Sequence, residues 1–215
     1  MRKTYISGKI DRDLKTLVWK LVEKERIKNA DVIVLGNLGA GIKKIAGIEN
    51  LYYRVRKRLE TNDINLWALR GSKDDPSIFS EMYDLPRLKF LKDHKEININ
   101  DFSIYPIGGE INEDGRYGVE KIYTPKLPIK VDIILSSQSP ISMKPHLERE
   151  SNMSYEYWKY ILDERTYLDH VLQEVRSSYW YCGNSNEPHR EEFGETIYRS
   201  LDKFEILEIQ KRELP

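Results

Sequence analysis

The segment Leu66-Trp-Ala-Leu-Arg-Gly-Ser-Lys-Asp-Asp-Pro-Ser-Ile-Phe79 passes from an apolar run into a polar turn that contains a glycine. Residues Leu66 to Leu69 have the composition of a strand, and the polar residues follow it directly. In open α/β sheets, functional sites form at the carboxyl ends of the strands. The turn from Arg70 to Asp75 is therefore a candidate site.

Four other apolar runs of this chain also end in a short polar turn. These turns read Ser7-Gly-Lys-Ile-Asp-Arg-Asp13, Leu35-Gly-Asn-Leu-Gly39, Leu135-Ser-Ser-Gln-Ser-Pro140 and Tyr181-Cys-Gly-Asn-Ser-Asn186. A single glycine-containing turn after a strand is common and usually only structural. Five such turns in one order along the chain are a more specific signal.

The runs before these turns alternate with helical patterns in the first third of the chain. Strand, helix, strand, helix and strand are predicted at Thr4 to Ile6, Leu14 to Val22, Val32 to Leu35, Leu51 to Leu59 and Leu66 to Leu69. This order predicts a βαβαβ unit. A second sheet is predicted to begin with a hairpin that turns at Asn100 and Asp101. Further strands are predicted at Asp132 to Leu135, Tyr179 to Cys182, Thr196 to Tyr198 and Phe204 to Ile209, with a helix within Tyr155 to Val175.

In order and spacing, the five turns resemble those of the calcineurin-like metallophosphoesterases, whose blocks read G-D-x-H-G, G-D, G-N-H-D, T-H-x-x-P and G-H-x-H. The run from Leu69 to Phe79 is similar to the R-G-N-H-D-D-P version found in bacterial and bacteriophage members. The resemblance implies an α/β fold, a four-layer α/β/β/α sandwich of two mixed sheets. With 215 residues, the chain suits one such domain over residues 1–215.

The same resemblance implies a site for two divalent metals such as Mn, Fe, Ni or Zn, which activate water and neutralise phosphate in that family. The residues at its ligand positions here are Lys9, Asp11, Asn37, Ser72, Ser137, Asn184 and Asn186, and none is the family's own residue. Lys73 stands where the family has the histidine that assists the leaving group. The acidic residue after it is retained as Asp74.

These replacements predict that the metal pair is lost. Neutral amides and hydroxyls bind transition metals poorly without charged companions, and Lys9 would place an ammonium where a cation binds. We therefore expect no cofactor and no catalytic residue, and interpret the chain as a pseudoenzyme that serves as a structural or protein-binding scaffold. By resemblance to phage members, it is a candidate accessory or structural component of a bacteriophage particle.

Three alternatives for the altered site remain open at this stage. One interpretation pairs Lys9 and Lys73 with Asp11 and Asp74 in a collapsed site. The two lysines, with Arg70, also form a candidate metal-free site for phosphate or a nucleotide. A rebuilt, active phosphoesterase would instead use oxygen ligands for Mg²⁺ or Ca²⁺, drawn from Asp11, Asn37, Asp74, Asn184 and Asn186.

Composition limits the partners that we expect. The 35 basic and 35 acidic residues cancel, so no overall field draws the protein onto nucleic acid or a membrane surface. The single Cys182 and the lack of a long apolar run favour a cytoplasmic or virion-associated protein. A dense aromatic set predicts a protein interface or self-association; its members are Tyr155, Tyr157, Trp158, Tyr160, Tyr167, Tyr179, Trp180 and Tyr181.

Overall fold

Strand β2 (Ala30–Leu35) lies inside a sheet that is covered on both faces, and all six of its residues are buried. The computed structural model describes residues 2–40, 45–80, 85–109, 118, 120–121, 126–143, 153–183 and 188–211. Val32 and Val34 pack towards helices, whereas Ile33 and Leu35 pack towards a second sheet. The uniformly apolar composition of β2 follows from this double burial.

The first sheet has the strand order β11-β1-β2-β3-β4. Its other strands are β1 (Lys3–Ser7), β3 (Ile64–Leu69), β4 (Leu88–Phe90) and β11 (Ile206–Ile209). Strands β1 to β4 run parallel, and β11 pairs antiparallel with β1 at the edge. The predicted βαβαβ unit is confirmed, with α1 (Leu14–Trp19), a π-helical continuation (Lys20–Lys24) and α2 (Ile45–Thr61) between the strands.

The second sheet has the order β5-β6-β7-β8-β10-β9. Its strands are β5 (Ile97–Ile99), β6 (Phe102–Ile107), β7 (Lys130–Ser136), β8 (Arg176–Cys182), β9 (His189–Phe193) and β10 (Thr196–Ser200). Strands β6, β7, β8 and β10 are parallel, and the edge strands β5 and β9 are antiparallel to their neighbours. Asn100 forms the predicted hairpin turn with φ of 51°.

Three apolar cores separate four layers, which confirms the predicted α/β/β/α sandwich of two mixed sheets. One core joins α1 and α2 to the first sheet, and a second lies between the two sheets. The third joins the second sheet to α4 (Tyr155–Glu174) through side chains such as Leu168 and Trp180. Asp13 caps α1 by accepting from Thr16 N, and Ser154 caps α4 by accepting from Tyr157 N.

Several elements differ from the sequence prediction. β4, β9 and the short helix α3 (Pro76–Ser80) were not predicted. The last strand begins at Ile206, because Phe204 lies in a turn with φ of 57°. Most of residues 108–128, which connect β6 to β7, fall outside the described residues. Among the described helices, none combines the length and apolar content that a membrane-spanning helix needs.

Candidate functional site

The polar turns meet at the carboxyl ends of the strands because glycines allow their backbones to approach closely. A Cβ atom on Gly71 would lie 2.4 Å from the backbone nitrogen of Asn37. A Cβ atom on Gly183 would lie 2.1 Å from the carbonyl oxygen of Leu35, which belongs to the other sheet. No side chain fits in such spaces, so glycine is required where the two sheets converge.

Asn37 is the centre of a hydrogen-bond network that links three of these turns. Its Nδ2 donates to Asp11 Oδ1 at 3.2 Å. Its Oδ1 accepts from Ser72 Oγ and from the backbone N–H of Lys73, both at 3.3 Å. Asn37 is buried, with a φ of 57° that follows the left-handed Gly36. The network therefore fixes both the amide and the Asp11 carboxylate that it contacts.

Two ammonium groups bind the carboxylate of Asp11. Lys73 Nζ lies 3.5 Å from Oδ1, and Lys203 Nζ lies 3.1 Å from Oδ2. The side chain of Asp11 is 25% exposed, against 45% for Lys73 and 44% for Lys203. Together with Lys9, these residues form what we call the lysine cluster.

Charge around Asp11 decides its protonation. Partial burial acts to raise the pKa of Asp11, but the hydrogen bond from Lys203 and the charges of Lys73, Lys203 and Lys9 outweigh it, and the pKa lies below its ordinary value. The backbone also joins these parts, since Phe204 N donates to Lys9 O at 3.2 Å.

Lys203 was missed by the sequence analysis. It lies on the turn between β10 and β11, outside all five polar turns. It reaches the site because β11 returns to pair with β1, whose carboxyl end leads into Lys9 and Asp11. The only sequence feature that pointed to this region was the predicted terminal strand, and a strand prediction does not say with which strand it will pair.

Asp74 is bound by backbone groups and not by Lys73, its predicted partner. Its two carboxylate oxygens accept four backbone N–H groups, at 2.6 to 3.2 Å; the donors are Leu38, Gly39, Ala40 and Gly71. The residue is completely buried. Burial raises the pKa of Asp74, and the four backbone donors act in the opposite direction. Lys73 bonds to Asp11 instead because the backbone already surrounds Asp74.

Two further predicted site residues, Arg70 and Ser137, join neighbouring loops. Arg70 is buried, and its guanidinium donates to Asp93 at 2.7 Å and to the carbonyls of Gly108 and Gly118. These partners occupy much of the guanidinium, and the predicted role of Arg70 in an anion site stays a prediction. Ser137 is buried and donates through Oγ to the carbonyl of Gly109. Asn184 and Asn186 lie outside the described residues.

The described donor set does not fit the pair of divalent metals that the resemblance implies. Asp11 is its one carboxylate with exposed surface, and both of its oxygens are bound by ammonium groups. The Asn37 oxygen accepts two other hydrogen bonds. Within the described residues, no three His, Cys, Asp or Glu side chains are grouped to hold a metal ion. A cation here would have to displace lysines at contact distance.

Comparisons with known proteins leave the family open. No protein-family model matches the chain, and no curated protein matches it by sequence. The phosphopantetheinyl hydrolase of Mycobacterium tuberculosis is similar in structure, with a TM-score of 0.45 and 9% identity, over 94% of this chain and 90% of that one. A Staphylococcus aureus protein assigned as a 5′-nucleotidase is also similar in structure, with a TM-score of 0.38 and 10% identity, over 93% of this chain and 48% of that one. Neither likeness is strong enough to assign an activity.

Proposed function

We propose that this protein is a non-catalytic relative of the calcineurin-like metallophosphoesterases, in which a lysine cluster replaces the metal pair. The observation that carries the proposal is the double ion pair of Asp11 with Lys73 and Lys203. Two-metal hydrolysis requires cations that activate water and neutralise the phosphate. Ammonium groups supply positive charge but generate no metal-bound hydroxide, so the cluster lacks a nucleophile.

The retained function is that of a structural or protein-binding scaffold. The strand ends are held by buried contacts, of which the four backbone bonds to Asp74 are the clearest, and none of these contacts needs a metal. Tyr155 and Tyr160 on α4 are 64% and 50% exposed, and exposed tyrosines are enriched at protein interfaces. Assembly into a bacteriophage particle, or a cytoplasmic role, belongs to the same proposal.

Metal content and hydrolysis test the absence of catalysis. Protein purified without chelator would be analysed for bound metals and assayed against bis-nitrophenyl phosphate with Mn²⁺, Ni²⁺, Mg²⁺ and Ca²⁺. We expect less than about a tenth of an equivalent of metal, and no more turnover than in the Asp11→Asn variant. This variant is the control because it lacks the carboxylate that a cation at this site would need. Stoichiometric metal, or turnover that Asp11→Asn abolishes, would establish a rebuilt oxygen-ligand site and refute the proposal.

A metal-free site for phosphate or a nucleotide is the second candidate function, favoured by the excess of ammonium groups. The charges of Lys9, Lys73 and Lys203 all act to lower the pKa of Asp11, so three ammonium groups act on this one carboxylate. Calorimetric titration with inorganic phosphate and with ATP would test this function. Binding that Lys73→Ala weakens would support it, and no heat of binding at millimolar ligand would refute it.

A further inference from the structure

A cleft of about 490 Å³ lies between the π-helical segment that continues α1 and the last turns of α2. Val22 and Glu23 form its side on the π-helical segment. Its other lining residues are Arg54, Lys57, Arg58, Thr61 and Asn62. Both helical segments lead from here into the starts of parallel strands, β2 and β3. The cleft is therefore at the amino ends of the strands, opposite the lysine cluster.

The cleft carries more positive charge than its acids can balance. Arg54, Lys57 and Arg58 are three and four residues apart, so they lie on one face of α2. Glu23 is the one acid among the described lining residues, and it lies 3.8 Å from Arg58 with both side chains about half exposed. Such a long, exposed ion pair is weak. Within the part of the chain that the structure describes, no carboxylate forms an ion pair with Arg54 or Lys57.

The carboxyl end of α2 does not cancel this charge. Carbonyl groups in the last turn of a helix carry a partial negative charge, which disfavours a bound anion. Here Asn62 donates to the carbonyl oxygen of Arg58 from its backbone nitrogen at 3.2 Å and from Nδ2 at 2.8 Å. That carbonyl is satisfied, and the full charges of three cations exceed the partial charge of one helix end.

Two exposed aromatic side chains lie one helical turn from the cleft. Trp19 is 51% exposed and precedes Val22 and Glu23 by three and four residues. Tyr53 is 60% exposed and precedes Lys57 by four residues. Residues at these spacings are neighbours on a helix surface. Cations that track phosphates, together with rings on which unpaired bases stack, are the combination that binds single-stranded nucleic acid.

We infer that this cleft binds single-stranded nucleic acid. Arg54, Lys57 and Arg58 contact the phosphates, and Trp19 and Tyr53 stack on bases. An acidic protein segment would match the charge but would leave both exposed rings without a role. The balanced charge of the whole chain is no obstacle, because the unpaired cations are concentrated in one cleft. This activity goes beyond the scaffold function and does not depend on it.

The test uses the whole protein and a fluorescent dodecamer of thymidylate, with binding followed by anisotropy. We expect saturable binding that weakens with salt at a log–log slope of about −2, since three phosphate contacts contribute about −0.7 each. Arg54→Glu or Lys57→Glu should weaken binding by about tenfold or more. Arg190→Glu makes the same charge change on exposed β9 and should leave binding within about twofold.

Two further variants separate the roles of charge and stacking. Glu23→Gln removes the acid of the cleft and should strengthen binding by about threefold. Trp19→Ala should weaken binding by about fivefold and leave the salt slope unchanged, because a stacked base releases no counter-ions. A weaker affinity with a smaller slope is expected instead for Lys57→Glu.

Four outcomes would overturn the inference. The first two are no binding at about 50 mM salt, where phosphate contacts are strong, and equal weakening by Lys57→Glu and Arg190→Glu. The third is weakening by Lys73→Ala alone, which would place the strand on the lysine cluster. The fourth is equally effective competition by an oligoglutamate of the same length, which would favour an acidic protein partner. None of these outcomes bears on the hydrolysis assay.

Discussion

Replacement of Asp74 by asparagine should destabilise the protein although it changes a single atom. Each carboxylate oxygen of Asp74 accepts two backbone N–H groups, with Oδ1 bound by Gly39 and Ala40 and Oδ2 by Leu38 and Gly71. In Asp74→Asn, one of these oxygens becomes an NH₂ group that faces two donors. Whichever oxygen is lost, two N–H groups in a buried site lose their acceptor.

The expected cost follows from those two donors. A buried donor without a partner costs about 1–3 kcal/mol, so we expect the free energy of unfolding to fall by about 3 kcal/mol. Asp75→Asn is the matched control in the same turn. Asp75 uses only Oδ1, which accepts from Ser77 N and Oγ at 2.9 and 2.8 Å, and asparagine keeps one such oxygen. The control should change stability by no more than about 0.5 kcal/mol.

Urea unfolding followed by circular dichroism would measure both variants at neutral pH. We expect a lower urea midpoint for Asp74→Asn with an unchanged slope, since the surface exposed on unfolding is the same. If Asp74→Asn and Asp75→Asn unfold at the same midpoint, the four backbone bonds do not hold the turns together, and the reasoning fails.

Three further predictions concern other contacts. Asp31→Ala removes a buried acceptor of four side-chain donors and should cost about 3 kcal/mol in urea unfolding; a cost below about 1 kcal/mol would contradict this. Lys203→Ala should raise the pKa of Asp11 in a carboxyl NMR titration. Because the pKa of Asp11 is lower in the folded protein, its ion pairs stabilise the fold above the ordinary aspartate pKa of 3.8, and this stabilisation is lost as the pH falls through the folded value. An unchanged pKa in Lys203→Ala would contradict the role given to Lys203. Gly71→Ala places a Cβ 2.4 Å from a backbone nitrogen and should lower the free energy of unfolding by about 2 kcal/mol or more. Gly194→Ala meets open space at a φ of +57° and should lower it by about 1 kcal/mol. Equal losses of stability would contradict the close approach at Gly71.

The layers and most strands could be predicted because they follow from short local patterns of apolar and polar residues. The apolar run from Val32 to Leu35 indicates burial on both faces, and each polar turn marks the end of a strand. β9 could not be found in this way, since all five of its residues are exposed and no apolar alternation is required of them. β4 is only three residues long, too short for a periodic pattern.

The site could be predicted only in part, because its contacts join distant parts of the chain. The sequence indicated that Lys9, Asp11, Asn37 and Lys73 would converge, since each follows a strand. It could not indicate that Lys203 would join them, or that Asp74 would be enclosed by backbone donors. Those facts depend on which strand pairs with β1 and on how closely Gly71 approaches Asn37.

Whether the site binds a metal can be measured by titrating the protein with Mn²⁺ and following the loss of the free-ion signal in electron paramagnetic resonance. We expect no specific binding at millimolar Mn²⁺, because Lys73 and Lys203 occupy both oxygens of Asp11. Binding of one or two equivalents that Asp11→Asn abolishes would contradict it, and would mean that the lysines move aside to leave a working metal site.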